Sequence, residues 1–436
     1  MLRSVKFILT LEAFFSGFYV TITRNFFILM LAYTGYDLRL ISYVMVFSAL
    51  LSLLISYTIY GKVHVLTRRA HIKLIITHGL ERILWLVLPY LVGTTYLLMT
   101  VYALAISITI PVGILINMVL YTQFKEQELV DVVSKRFAFG SVSSIIGGIF
   151  GVFMINILTG ISGYITLYLI AGLVGLTSTV ILLFSKVPRD VEDVKIEEKD
   201  VEIEFRRVNV FTFLFLLSAG VNILAIAWIP YLKSIGAKSD VASFIGLAFA
   251  IGGVLGSYLW KTVHMCRLAL MMGTMLVMTI PFITIIHAHP VLAVLLSSVN
   301  IGGYILANII YSKYVTRIGI VKTSTLLTSG YAAGLLLSSI LGITINNYLI
   351  LFTIAALLFL TATSVTSIAI PESAMIPTEK SLQYARVVYS ASIIGYSVMI
   401  LVSKESIMLI LKVLALTLII IILYVIYRIL ILLLTI

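Results

Sequence analysis

The feature that most constrains this chain is a succession of long apolar stretches separated by short charged ones. Residues 209–233, NVFTFLFLLSAGVNILAIAWIPYLK, are typical. A helix needs about 20 predominantly apolar residues to cross the hydrocarbon core of a bilayer. Fourteen stretches approach or exceed that length, at roughly 7–33, 39–60, 73–93, 95–121, 136–158, 161–186, 209–233, 241–260, 268–287, 290–312, 321–344, 348–370, 385–402 and 406–435. Stretches this long and rich in Leu and Ala are helices, not the ~10-residue alternating strands of a membrane barrel. Composition agrees. The chain is 61% hydrophobic and 11% charged, whereas a soluble domain carries about a quarter charged residues. The expected fold class is an all-α polytopic membrane protein. The first stretch is too long for a cleavable signal and no small-residue cleavage site follows it.

The net charge is +12, and its distribution argues against a nucleic-acid partner. Of the 30 lysines and arginines, 22 lie at the N-terminus or near connections that follow even-numbered stretches. Only Arg39, Lys233, Lys238 and Lys404 lie on the opposite side. This is the positive-inside bias, which puts the N-terminus and the long central loop in the cytoplasm and the spans in the plasma membrane. The basic excess sets topology. The one cysteine, Cys266, excludes an internal disulfide, and His264 beside it does not make a zinc site. No metal or cofactor is expected.

The chain repeats itself. SYTIYGKVH at 56–64 returns as SYLWKTVH at 257–264. Gly35, Ser42, Ser56 and Tyr57 match Gly236, Ser243, Ser257 and Tyr258, each at an offset of 201. Pro89 then matches Pro281, and ILIN at 114–117 matches ILAN at 305–308. Each copy holds six spans, an even number, so both copies share one orientation and are related about an axis along the membrane normal. The expected domains are a six-helix bundle over 1–186, a charged cytoplasmic linker over 187–208, a second bundle over 209–370 and an extra transmembrane hairpin over 371–436. That gives twelve spans in a pseudo-two-fold pair of bundles, and fourteen in all.

Six plus six spans about a charged central loop resemble the major facilitator superfamily. IGAKSDVASFIGLAFAIGGVLGSYLW at 235–260 looks like the helix 7–8 region of that family. The resemblance covers roughly residues 5–370. The family's loop 2–3 signature, Gly-x-x-x-Asp-Arg-x-Gly-Arg-Arg, meets GKVHVLTRR here: Gly61 and Arg69 match, while Val65, Leu66 and Arg68 replace Asp, Arg and Gly. In the second copy Gly256 and Lys261 fit, and Trp260 stands at the Asp position. Gly61, Arg68 and Arg69 are thus the candidate cytoplasmic gate. The resemblance implies that helices 1, 4, 7 and 10 line a central cavity and that helices 2, 5, 8 and 11 face each other between the halves. Small residues let membrane helices approach closely. Gly147/Gly151, Gly252/Gly256, Gly330/Gly334 and Ser48/Ser52/Ser56 are therefore expected at that interface.

Rocking halves bind solute near the midplane. At about 100° per residue, Glu12, Ser16, Tyr19 and Thr23 of helix 1 form a narrow polar stripe, as do Ser297, Asn300, Tyr304, Asn308 and Tyr311 of helix 10. Helix 4 adds Tyr102, Thr109, Asn117 and Tyr121, and helix 7 adds Ser218 and Asn222. The candidate solute-binding set is Tyr19, Thr23, Arg24, Asn117, Asn222, Asn300, Tyr304 and Asn308. An intramembrane Asn faces protein or water rather than lipid, so interhelical hydrogen bonding is the alternative role for each.

Ionisable groups inside spans are functional candidates by default. They are Glu12, Arg24, Glu81, Arg82 and Lys412, with Arg428 near the end of the last span. Arg24 and Arg82 each lie eleven residues before a glycine that marks a span end, Gly35 and Gly93. Both are thus about 16 Å deep. Glu81 can pair with Arg24 or with Arg82, either as a static tie between helices 1 and 3 or as a proton site. His78, one turn away, can pass that proton on. Glu12 sits nearer the cytoplasm at the head of the helix 1 stripe. The coupling and ion-pair set is Glu12, His78, Glu81 and Arg82. Lys412 and Arg428 are expected to snorkel.

No Gly-x-x-x-x-Gly-Lys-Ser/Thr sequence is present. The expected function is secondary active transport of a small organic solute by alternating access, with a proton preferred to sodium as coupling ion. Arg24 and Arg82 tilt the solute toward polar or anionic. The other partner is the lipid bilayer, and a monomer is expected. The two spans after residue 370 motivate an alternative, a flippase for lipid-linked saccharide. An embedded enzyme is not expected, because the spans offer only Glu12, Glu81 and His78 as acid, base or metal ligand.

Overall fold

The computed structural model describes residues 2–124, 126–158, 160–184, 201–260, 262–312, 319–371, 373–377, 379–386 and 388. Among them, twelve helices are long and apolar enough to cross a membrane. They are α1 Val5–Tyr33, α2 Leu38–Gly61, α3 Ala70–Leu91, α4 Thr95–Leu120, α5 Asp131–Ile157, α6 Ile161–Leu183, α7 Val208–Ser234, α8 Ser239–Leu259, α9 Val263–Phe282, α10 Ile286–Tyr311, α11 Ile320–Thr344 and α12 Tyr348–Ile368. They follow the first twelve expected spans. The two further spans expected at 385–402 and 406–435 lie outside the described residues except for 385, 386 and 388. Residues 185–200 of the expected linker region also lie outside them. From Val201 the chain is helical and continuous with α7. The end of the bundle that carries the basic connections is termed the basic face, and the opposite end the far face.

The repeat has a structural counterpart. At the far face, the α1–α2 and α7–α8 turns pass through Gly35 and Gly236, at φ 107° and 91°. A side chain there would be strained, which accounts for glycine at both positions. Pro89 and Pro281 each stand in the 3-10 turn that ends α3 and α9. Helix starts are capped by side chains: Asp37 accepts from the Leu40 N–H at 2.8 Å and Asn347 from the Ile350 N–H at 3.2 Å.

Packing repeats as well. α1 packs on α5 and α6, α2 on α4, and α3 on α4 and α6. In the second half α7 packs on α11 and α12, α8 on α10, and α9 on α10 and α12. The halves meet through α2 against α11 and α5 against α8. Exchanging first and second halves converts one contact into the other.

The small-residue pairs serve a different contact from the expected one. A Cβ on Gly147 would lie 2.9 Å from the Phe18 carbonyl oxygen, and one on Gly151 2.6 Å from the Phe26 ring, both on α1. Gly252 and Gly256 abut the backbone oxygens of Val294 and Ser298 on α10. Gly330 and Gly334 abut Leu214 and Ser218 on α7, and Ser52 bonds Ser107 of α4 at 3.1 Å. These residues seat α5, α8, α11 and α2 on partners in their own half, where backbones come closest. The seam between halves uses other positions: Gly148 against Leu247 and Gly342 against Ser42.

The seam is closed at the far face. Tyr33 donates to the Ala237 carbonyl at 2.6 Å, Asn25 to the Gly246 carbonyl at 3.2 Å, and Lys233 to the Ala32 carbonyl. Phe26 is buried against Gly151 of one half and Gly246 of the other. Within the N-terminal half, Phe27 stacks on Tyr102 at 4.3 Å, and Trp85 packs edge-on to both. Nearer the basic face, Asn117 reaches Ser324 of α11 at 3.4 Å.

α1 is not uniform. Residues Thr21–Asn25 form a π-helical turn. Its i→i+5 bonding admits one extra residue, which rotates the remainder of the helix by about 100° relative to an uninterrupted α-helix.

Candidate functional site

The charged side chains at mid-depth in the N-terminal half form one connected network. Glu12 of α1 takes three partners. Arg136 of α5 donates to it at 2.8 Å, Ser16 donates to it at 2.6 Å, and the His78 ring lies 3.4 Å away. The other His78 ring nitrogen lies 2.7 Å from the Thr179 hydroxyl of α6. Ser16 passes the network on, since its oxygen accepts from Arg82 of α3 at 3.0 Å. Arg82 also pairs with the adjacent Glu81 and lies over the Tyr19 ring at 4.8 Å. The second Glu81 oxygen faces Arg24 of α1 at 3.5 Å. Glu12, His78, Glu81 and Arg82 are all buried.

Both pairings open to Glu81 in the sequence are therefore present together. Glu12, in contrast, is not the water-facing head of a stripe. It is buried against Arg136, which reads in the sequence only as one of the basic residues that set topology. Tyr19 and Thr23 are fully buried as well. The Tyr19 hydroxyl points to the Glu81 carbonyl and the Thr23 hydroxyl donates to the Tyr19 carbonyl at 2.8 Å. The stripe of α1 thus faces α3 and α6 inside its own bundle.

Arg24 is the outlet of the network. It stands on the π-helical turn and its side chain is 41% exposed, although it lies near the middle of α1. α1 packs mainly on α5 and α6 and α4 on α2 and α3, and α1 meets α4 where Phe27 stacks on Tyr102. Arg24 lies beside Glu81. The next residue, Asn25, makes the bond across the seam to Gly246. π-helical turns inside α-helices occur frequently at functional sites.

The C-terminal half presents neutral groups. Ser218 donates to the Tyr331 carbonyl at 3.1 Å, and Asn222 to the Ser218 carbonyl at 2.8 Å. Asn308 is exposed and donates to the Tyr304 carbonyl at 2.8 Å, and the Tyr304 ring packs edge-on to Tyr331 at 5.0 Å. Asn300 has a buried side-chain oxygen with no hydrogen-bond partner. Gly61, Arg68 and Arg69 are exposed at the basic face, where Arg69 takes a left-handed backbone conformation at φ 53° just before α3. A cavity of about 710 Å³ opens elsewhere, at the far face between Tyr33, Tyr90, Tyr164 and Ser239. It contains none of the expected site residues.

The sequence matches no protein-family model and no curated protein. Solved structures do match it. A mutant of the nucleoside transporter NupG superposes with a TM-score of 0.63 at 14% identity, over 83% of this chain and 99% of that one. A D-xylose-proton symporter gives a TM-score of 0.61 at 13% identity, over 83% and 97%. The fold is that of the major facilitator superfamily.

On this major facilitator frame, several members of the network have no clear signal in the sequence. Arg136 sits near the start of α5, where its charge reads as topogenic. Thr179 is one of three successive hydroxyl residues, Thr177, Ser178 and Thr179, and nothing in the sequence singles it out. Asn25 and the π-helical turn have no marker, since residues 21–25, TITRN, include neither Gly nor Pro. Outside the network, Arg267 of α9 is buried, donates to the Ser373 carbonyl at 2.6 Å and contacts His264. It ties the basic end of the C-terminal half to the segment after α12.

Proposed function

We propose that the chain is a secondary active transporter that moves a small organic solute across the plasma membrane by alternating access, coupled to proton movement. Its moving units are the bundles over 1–186 and 209–370, joined by the 187–208 linker, with the N-terminus and linker cytoplasmic. One observation carries the reading. A buried ionisable network opens at a single exposed arginine, Arg24, at mid-depth beside a seam whose far end is closed. Buried charge is costly and persists where function requires it. In this reading the far face is extracellular, and the present arrangement is closed there. Arg24, Asn117, Asn222, Asn300, Tyr304 and Asn308 serve the solute. Glu12, His78, Glu81 and Arg82 serve the proton, and Tyr19 and Thr23 support them from behind.

The nucleoside transporter and the xylose-proton symporter share the whole twelve-span architecture, which supports a soluble solute over a lipid-linked saccharide. The test is a distance measurement between spin labels at Thr34→Cys and Lys238→Cys, in a Cys266→Ser background and in lipid nanodiscs. Both positions flank the closed far seam. Alternating access requires a second, longer distance whose population changes with pH or with added solute. One short distance under every condition would sink the proposal.

A further inference from the structure

The charge balance of the network identifies the solute class. Three guanidiniums, Arg24, Arg82 and Arg136, meet two carboxylates, Glu12 and Glu81. With His78 neutral, the set carries one positive charge more than it balances. An excess positive charge at the exposed edge of a buried network within a span favours a counter-charge. The position of the excess follows from the contacts. Arg136 donates to Glu12 at 2.8 Å and to the Leu9 carbonyl at 2.8 Å. Arg82 is enclosed by Glu81, Ser16 and the Tyr19 ring. Arg24 has the loosest tie. Its nitrogen lies 3.5 Å from a Glu81 oxygen that makes no hydrogen bond, and its side chain is 41% exposed.

We infer that the transported solute carries a carboxylate or phosphate group and that Arg24 anchors it. The inference rests on the transporter reading and deepens it. The guanidinium fork suits either group, because it can donate two parallel hydrogen bonds to paired oxygens. Glu81 does not repel the incoming anion, since Arg82 neutralises it from behind. Glu81 instead holds Arg24 in place until the anion arrives. The neutral wall of the other half, with Asn222, Asn300 and Asn308, supplies hydrogen bonds but no second cation. The solute is therefore anionic at one end and polar and uncharged at the other. Arg24 stands on the π-helical turn and points away from the buried face of α1 that Tyr19 and Thr23 occupy, as the residue after Thr23 does in any helix.

The test uses matched pairs that differ in the anionic group: UMP against uridine, ribose 5-phosphate against ribose, and glucuronate against glucose. Each is titrated against the melting temperature of the full chain, purified in detergent at low salt, since a ligand of the folded state raises that temperature by mass action. The expected result is that at least one anion binds about tenfold or more tighter than its neutral partner, the scale of a hydrogen bond to a charged group. Arg24→Gln should remove the difference and Arg24→Lys should keep part of it. Should Arg24→Gln fail to fold, Arg24→Lys and the pairs on the unmodified chain decide. Equal shifts from both members of every pair, or no shift from any anion at millimolar concentration, would overturn the inference. So would an anion shift that survives Arg24→Gln. None of these outcomes touches the spin-label distances, which judge the transporter reading separately.

Discussion

Glu12 and Glu81 are both buried carboxylates, yet their surroundings assign them different work. Glu12 is saturated: Arg136, Ser16 and His78 all approach its two oxygens. Removing it would strand Arg136 and leave His78 without its acidic partner. Breaking a buried pair on one side costs about 3–5 kcal/mol. Glu12→Ala should therefore lower the melting temperature of the detergent-purified chain sharply, and Glu12→Gln less. A Glu12→Gln variant that melts with the unmodified chain would show that the charge at this position is not structural. Glu81 is less saturated, because one of its oxygens makes no hydrogen bond and only faces Arg24. Glu81→Gln keeps the shape and removes the titratable group. The variant should fold and exchange solute across proteoliposome membranes, while losing accumulation driven by a pH gradient. Accumulation at the unmodified level would move the proton site away from Glu81.

At the scale of the helix, the contacts turn on which glycine faces which neighbour. Gly252 and Gly253 are adjacent on α8 and share its hydropathy. A Cβ on Gly252 would strike the Val294 carbonyl of α10, whereas one on Gly253 has open space. Gly252→Ala should cost about 1–3 kcal/mol by forcing α8 from α10. Gly253→Ala should be neutral, or stabilising by up to about 1 kcal/mol through its better helix propensity. Melting of the two variants side by side checks this, and equal losses would mean that α8 does not pack as described. The contrast also marks what a sequence can tell. Span positions follow from hydropathy alone, and the far-face turns follow from Gly35 and Gly236, which only glycine suits. The partner of a glycine is a tertiary fact. Gly147 and Gly151 read equally well as a contact with either half, and the fold puts them on α1. The π-helical turn is hidden for a different reason. Periodicity assumes a constant rotation per residue, and the stripe through Glu12, Ser16, Tyr19 and Thr23 does run along one face. Arg24, one residue further, does not share its surroundings.

The molecule as a whole joins a symmetric frame to an asymmetric chemistry. The main helix contacts obey the two-fold exchange, except that α4 packs on α11 across the seam without a matching contact of α10 on α5 among the described residues. The buried network belongs to the N-terminal half, while Ser218, Asn222 and Asn308 of the neutral half bond within their own half. A two-fold frame with two seams of equal kind can open at either end when one end is weakened. At the far face the Tyr33 hydroxyl bonds the Ala237 carbonyl across the seam, and deeper, beside Arg24, Asn25 bonds the Gly246 carbonyl. Both are single hydrogen bonds to neutral acceptors, each worth about 1 kcal/mol net. Such a difference moves a two-state equilibrium about fivefold. Tyr33→Phe removes the first bond and leaves the ring to pack. It should raise the far-open population by that factor in the spin-label pair at Thr34→Cys and Lys238→Cys, without lowering the melting temperature by more than a few degrees. The matching change toward the basic face, Asn117→Ala, breaks the bond to Ser324 of α11 and should shift the population the other way. Opposite shifts from the two variants would mean that the ends are coupled through one rocking motion. Shifts in the same direction, or none, would mean that each bond only staples its own end, and that the proposed alternation has another axis.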